Sequence, residues 1–202
     1  MAANRTYLII AVILLSVLLY FFVFRRYVAV LNARKEKMYW QGRKENNPSV
    51  HPRLQRYWNE GAGWWHVSPG NISNVASSQA WSAAGLSYVM RKTHRNFPKS
   101  SSHWQYVKWA IDRRRKGKRI GAAYFPHEKR PRPGDIIVAG REGHNPTLSN
   151  FIPGPSHGDI VVSNTGKTVK AIGFNLSDTV KKVSFPARNG YLQSNHFAVI
   201  RM

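Results

Sequence analysis

GDIVVSNTGKTVKAIGF, residues 158–174, sets two short Val- and Ile-rich segments on either side of a polar break, the composition of strands rather than helices. The same signature recurs in DIIVAG (135–140), VKKVSF (180–185) and HFAVIRM (196–202), separated by Gly, Pro, Asn and Ser. Everything from residue 134 onward therefore reads as strands. Upstream the pattern is helical: residues 80–93 form one expected helix and 102–116 a second, in which His103, Tyr106, Val107, Ala110 and Ile111 recur on one face. Helices first and strands afterwards define an α+β domain with an antiparallel sheet. It is expected to span residues 54–202, starting with a short helix at LQRYWNE (54–60) and a loop, GAGWWHVSPGN (61–71), whose Trp64 and Trp65 dock on the body.

Moving toward the N-terminus, NNPSVHPR (46–53) reads as a linker, because Pro48 and Pro52 interrupt a helix. Residues 25–45 continue helically among basic side chains, with apolar Tyr27, Val30, Leu31 and Met38, as in a helix lying near a membrane surface. Residues 6–24, TYLIIAVILLSVLLYFFVF, carry no charge, and their length approaches the ~20 residues that cross a bilayer core. A cleaved signal peptide would have an apolar region of about 7–15 residues and a small-residue cleavage site, which this stretch lacks. A buried helix of a soluble core would keep a polar stripe. The expectation is one transmembrane helix at the N-terminus (1–24), a basic juxtamembrane segment and linker (25–53), and the α+β domain. Arg25, Arg26, Arg34, Lys35 and Lys37 follow the span whereas Arg5 alone precedes it, which places the domain on the cytoplasmic side.

The formal charge is +22, from 31 Lys and Arg against 9 Asp and Glu. Residues 25–133 hold 23 basic and 5 acidic residues, so the field sits in the first half of the chain that follows the apolar run. A field of this sign draws in lipid headgroups, nucleic acid or an acidic protein. Its densest stretch is RRRKGKR (113–119), contributing Arg113, Arg114, Arg115, Lys116, Lys118 and Arg119, followed by Lys129, Arg130 and Arg132. These nine form the expected contact with a membrane or other anionic partner, and no nucleic-acid fold signature accompanies them.

Cysteine is absent, which excludes thiol catalysis and thiolate zinc sites. His51, His66, His94, His127, His144 and His196 are scattered and no H-E-x-x-H occurs, so neither a metal nor a cofactor is expected.

Five short blocks carry a resemblance: Trp81–Arg91 (W-S-A-A…), Phe97–Tyr106 (F-P-x-S-x-x-H-x-x-Y), Pro131–Asp135 (P-R-P-G-D), Ser156–Val162 (S-H-x-D-I-V-V) and Ile172–Asp178 (I-G-x-N-x-x-D). In order and spacing they resemble a little-characterised relative of the papain-like CHAP amidases of cell-wall hydrolysis. The resemblance implies a papain-like domain with Ser82 at the nucleophile position, His157 as general base, and Asn175 or Asp178 orienting the histidine; Gly134 and Asp135 would shape a turn. His103, on the apolar face of its helix, is a weaker candidate for the same cleft. Each residue has a plainer role open to it: helix N-cap for Ser82, a strand-end histidine bonded to backbone for His157, a core histidine for His103. Serine cannot react as a ready-made thiolate and must lose its proton to a base, although Ser–His pairs do work on other folds.

Two functions follow. The first is a membrane-anchored, basic structural adapter with a degenerate papain-like hydrolase domain, joining a membrane to an assembly. The setting that fits is the minor capsid protein of a large DNA virus, lying in the virion between an internal membrane and the capsid. The alternative is a membrane-tethered Ser/His amidase or peptidase acting on cell-wall or peptide substrates. Peptidoglycan lies on the other side of the membrane from the expected domain, which favours the adapter.

Overall fold

The computed structural model describes residues 2–202, apart from the side chains of residues 2–6, 9, 14, 15 and 17–23. Helix α1 (Ala2–Trp40) is followed by α2 (His51–Arg56), α3 (Ile72–Ser78), α4 (Ser82–Arg91) and α5 (His103–Arg115). Seven strands come next: β1 (Ala122–Tyr124), β2 (Ile136–Gly140), β3 (Ser156–Asn164), β4 (Thr168–Gly173), β5 (Lys181–Arg188), β6 (Tyr191–Leu192) and β7 (His196–Arg201). All pairings are antiparallel, in the order β1-β7-β2-β3-β4-β5-β6. The architecture is α+β, helices first and an antiparallel sheet after.

One expectation is corrected. The span expected at residues 6–24 falls largely on side chains outside the description, and among the described residues no helix is long and apolar enough to cross a membrane. A crossing needs an apolar run of ~20 residues, and the residues whose side chains are described do not supply one. The integral, single-pass localisation with a cytoplasmic-side domain is therefore withdrawn. The second half of α1 packs instead against the body: Ala29, Val30, Ala33 and Trp40 are buried in the main core.

That half is locked by a buried carboxylate. Glu36 accepts hydrogen bonds from Arg53 Nη1 and the Tyr57 hydroxyl, each at 2.6 Å, while Trp40 Nε1 donates to the Tyr57 oxygen at 2.9 Å. Trp40 also stacks on Trp81 at 4.7 Å between centroids, and Trp81 Nε1 donates to Glu45 at 2.6 Å. Trp81 is the residue immediately before α4, so this ladder fixes where that helix begins.

The sheet is buried on both faces at its centre, which is why β2 and β3 read as near-continuous apolar runs. One face places Ile136, Val138, Ile160, Ile172 and Ile200 in the main core with helical Leu86, Val89 and Val107. The other gathers Ile137, Val161, Val169, Ala171 and Val199 into a second, smaller cluster.

Local differences from the expected elements have local causes. Pro48 and Pro52 start helical turns rather than breaking them, since a first-turn proline loses no intrahelical hydrogen bond. Strand β1, three residues long, is too short to announce itself by alternation, and it forms because β7 offers it an edge.

Candidate functional site

The site begins at the first turn of α4. Trp81 occupies the cap position and Ser82 is the first helical residue, 4% exposed. Its hydroxyl does not cap the helix; Ser82 Oγ lies 2.6 Å from His103 Nε2. His103 in turn opens α5, whose start is held by Gln105 Oε1 accepting the amides of Ser101 and Ser102. The other ring nitrogen, His103 Nδ1, is 2.5 Å from the Tyr106 hydroxyl, one helical turn on. Two helix starts thus meet through a Ser82–His103–Tyr106 chain.

Strand β3 supplies a second pair. His157 and Asp159 alternate along it and share a side, and His157 Nε2 lies 3.1 Å from Asp159 Oδ1. The rings of His157 and His103 have centroids 5.1 Å apart, so the two groups adjoin. Between His157 and Asp159, Gly158 allows the close approach: a Cβ there would lie 2.0 Å from the Tyr106 hydroxyl oxygen and 3.2 Å from His103 Nδ1. Cross-strand register aligns His157, Ala139 and His196 on β3, β2 and β7, and Ser194 Oγ and His196 Nδ1 lie 2.8 Å apart.

Burial sets the protonation states. Desolvation holds the His103 imidazole well below its usual range, with the His157 and Arg141 charges adding to the effect, so it is neutral at pH 7. Tyr106 is pushed well above the ordinary phenol range, first by burial and then by the Asp159 charge. His196 is lowered to about 4, mainly by burial. A neutral His103 can accept a proton at Nε2 only if Nδ1 carries the hydrogen, which it then donates to the Tyr106 oxygen.

Ser82 and His103 open on a cleft of about 450 Å³, whose other walls include Trp104, Arg141, Pro153 and Ser156. The amides of the first turn of α4 have no intrahelical acceptor, and the positive end of the helix points the same way. The arrangement can activate a hydroxyl and stabilise an oxyanion.

Of the expected site residues, Ser82, His103 and His157 come together. The ring nitrogen hydrogen-bonded to Ser82 belongs to His103, and His157 is paired with Asp159. Asn175 and Asp178 lie in the turn after β4, both at positive φ, and Asp178 faces Lys44 at 3.5 Å and accepts the Glu45 amide through its carbonyl. Asp135 is fully buried, accepting the amides of Arg132 and Met202 and pairing with Arg201 Nη1 at 3.0 Å. Tyr106 and Asp159 stand in the sequence blocks without an expected role in the site; i,i+3 and i,i+2 spacing from the two histidines is the signal that points to them. Among the described residues no group of three His, Asp or Glu is placed to hold a metal ion.

The basic residues are divided among roles. Arg114 forms a bidentate pair with Glu128 at 2.7 and 2.8 Å, and Arg113 stacks on Trp109 while donating to the Ile120 carbonyl. Arg115 faces Asp112 at 3.7 Å, and Lys129 and Arg130 lie over the rings of Tyr124 and Tyr191.

The fold and site define an α+β domain carrying a buried Ser–His pair in a cleft. The chain belongs to the family described as "Uncharacterized protein conserved in bacteria (DUF2272)", which it matches over residues 32–197. No curated protein and no solved structure matches it. Membership corrects the capsid setting: the family is one conserved in bacteria. A basic surface attracts any polyanion and does not single out a virion, so the minor-capsid and virion reading is withdrawn.

Proposed function

We propose that the chain is a hydrolase of the acyl-transfer type, cleaving an amide or ester with Ser82 as nucleophile, on a serine-bearing relative of the papain-like amidase domain. The observation that carries the reading is the 2.6 Å contact between Ser82 Oγ and His103 Nε2 at the floor of an open cleft. In the reaction Ser82 Oγ attacks the carbonyl carbon as its proton passes to His103 Nε2. The oxyanion meets the free amides at the start of α4, and His103 returns the proton to the leaving amine or alcohol. Water, deprotonated by the same imidazole, then releases the acyl group. The Tyr106 hydroxyl holds the His103 ring in place and can accept the Nδ1–H of the productive tautomer. Asp159 holds His157 beside it, where the second imidazole orients substrate or water.

A fluorophosphonate probe with a reporter tag tests this, because it labels only an activated serine. Labelling at Ser82 is expected, abolished in Ser82→Ala and reduced at least 100-fold in His103→Gln. A folded protein that remains unlabelled over a range of pH refutes it.

A second reading, a basic adapter without catalysis, rests on the excess of 22 positive charges. It requires Ser82→Ala to leave the biological role of the protein intact.

A further inference from the structure

A cleft of about 720 Å³ opens among the 128–133 segment, the turn after β3, the turn before β6, and β7. Four cations line it, Lys129, Arg130, Arg132 and Arg201; Arg201 is paired with the buried Asp135 and the one lining carboxylate, Glu128, is held in bidentate fashion by Arg114, so the balance rests on Lys129, Arg130 and Arg132. The Ser82 cleft shares no lining residue with it.

Its walls are fixed before any ligand arrives. Asn164 Nδ2 donates to the carbonyls of Pro131 and Gly190 at 2.9 and 2.8 Å, and the Gly190 amide donates to the Gly166 carbonyl at 2.8 Å, tying three segments together. Arg201 donates through Nη2 to the Arg130 carbonyl at 3.1 Å, and its Nη1 faces the buried Asp135. Asp135 also accepts the Arg132 amide at 2.8 Å, so the backbones of both exposed arginines are anchored. Their guanidinium groups are not consumed: among the described residues neither Arg130 nor Arg132 pairs with a carboxylate, and Arg130 is backed by the Tyr191 ring at 5.1 Å. The turn amides of Gly166 and Gly190 are spent on protein acceptors, so recognition falls to the side chains.

We infer that this cleft is a binding site for an oligophosphate, a ligand bearing two or more linked phosphate groups. Like charges held together in a fixed frame repel, and an anion of matching charge relieves that repulsion. Planar arginine forks suit phosphate oxygens bidentately, which a diffuse lysine-rich surface does not offer. The volume falls within the ~300–1,000 Å³ of small-ligand pockets and exceeds what one orthophosphate would fill.

Inorganic tripolyphosphate titrated calorimetrically into the full chain at 0.15 M salt tests the site. Saturable one-to-one binding is expected, weakened at least tenfold in Arg130→Gln/Arg132→Gln. It should change less than twofold in Lys116→Gln/Lys118→Gln, which removes the same charge outside the cleft. Arg130→Lys/Arg132→Lys keeps the charge, loses the forks and should also weaken binding, and thermal unfolding of each variant establishes that it is folded. Equal losses in the two Gln double variants, binding of citrate as tight as that of tripolyphosphate, or no saturable binding would each overturn the proposal.

Discussion

Replacing Gly158 with alanine puts one methyl group into the junction of α5 and β3. Its Cβ would sit 2.0 Å from the Tyr106 hydroxyl oxygen, whereas a carbon–oxygen contact normally settles above ~3 Å, so the hydroxyl must retreat by about 1 Å. That hydroxyl is the partner of His103 Nδ1, and His103 holds Ser82. Overpacking of this kind costs about 1–3 kcal/mol of stability, and a ~1 Å misplacement of a catalytic group costs on the order of 100-fold in rate. The remedy is specific. With Tyr106→Phe the offending oxygen is gone, and the nearest ring carbon, Cζ, lies 3.3 Å from the new Cβ, tight but tolerable. Tyr106→Phe alone leaves a buried His103 nitrogen unpaired, at a cost of about 1–3 kcal/mol. The two changes together should therefore cost less than the sum of the singles, with a coupling of about 1–2 kcal/mol in a double-mutant cycle. Urea unfolding of the four proteins, together with fluorophosphonate labelling rates, measures both quantities. Strict additivity, or Gly158→Ala as stable and reactive as the parent, would refute the packing of α5 against β3 described above.

Two further outcomes are expected. His196, lowered to about 4 against an ordinary 6.5, binds protons less readily folded than unfolded, so stability is complete above pH 6.5 and is lost as pH falls toward 4. Between pH 7 and 5 this amounts to about 2 kcal/mol, and chemical denaturation at several pH values should show the slope flattening in His196→Gln. Glu36→Ala leaves the Tyr57 hydroxyl and Arg53 facing a void in the core and should destabilise by about 3–5 kcal/mol, read as a fall in the denaturation midpoint; an unchanged midpoint would mean that α1 is not docked through this carboxylate.

Much of this protein was legible in one dimension. Composition and alternation determine that helices precede strands, because the 3.6- and 2-residue periods are local properties of the chain. Helices α4 and α5 and strands β2, β3, β4, β5 and β7 lie where their patterns predict. The blocks around Ser82 and His157 stand out by their resemblance to a known family rather than by periodicity, which marks only His103, on the apolar face of its helix. What the chain does not encode locally is which ring reaches Ser82. His103 and His157 both sit at the ends of elements that converge on one cleft, and only the packing of α5 over Gly158 brings His103 to the serine while Asp159 takes His157. The insertion of β7 between β1 and β2 is likewise a long-range matter, as is the docking of the second half of α1 through Glu36 and Trp40. The basic residues make the point most directly. Their number follows from the sequence, but Arg114 is neutralised by Glu128 while, among the described residues, Arg130 and Arg132 pair with no carboxylate, and that division exists only once the turns of the sheet have gathered around Asn164.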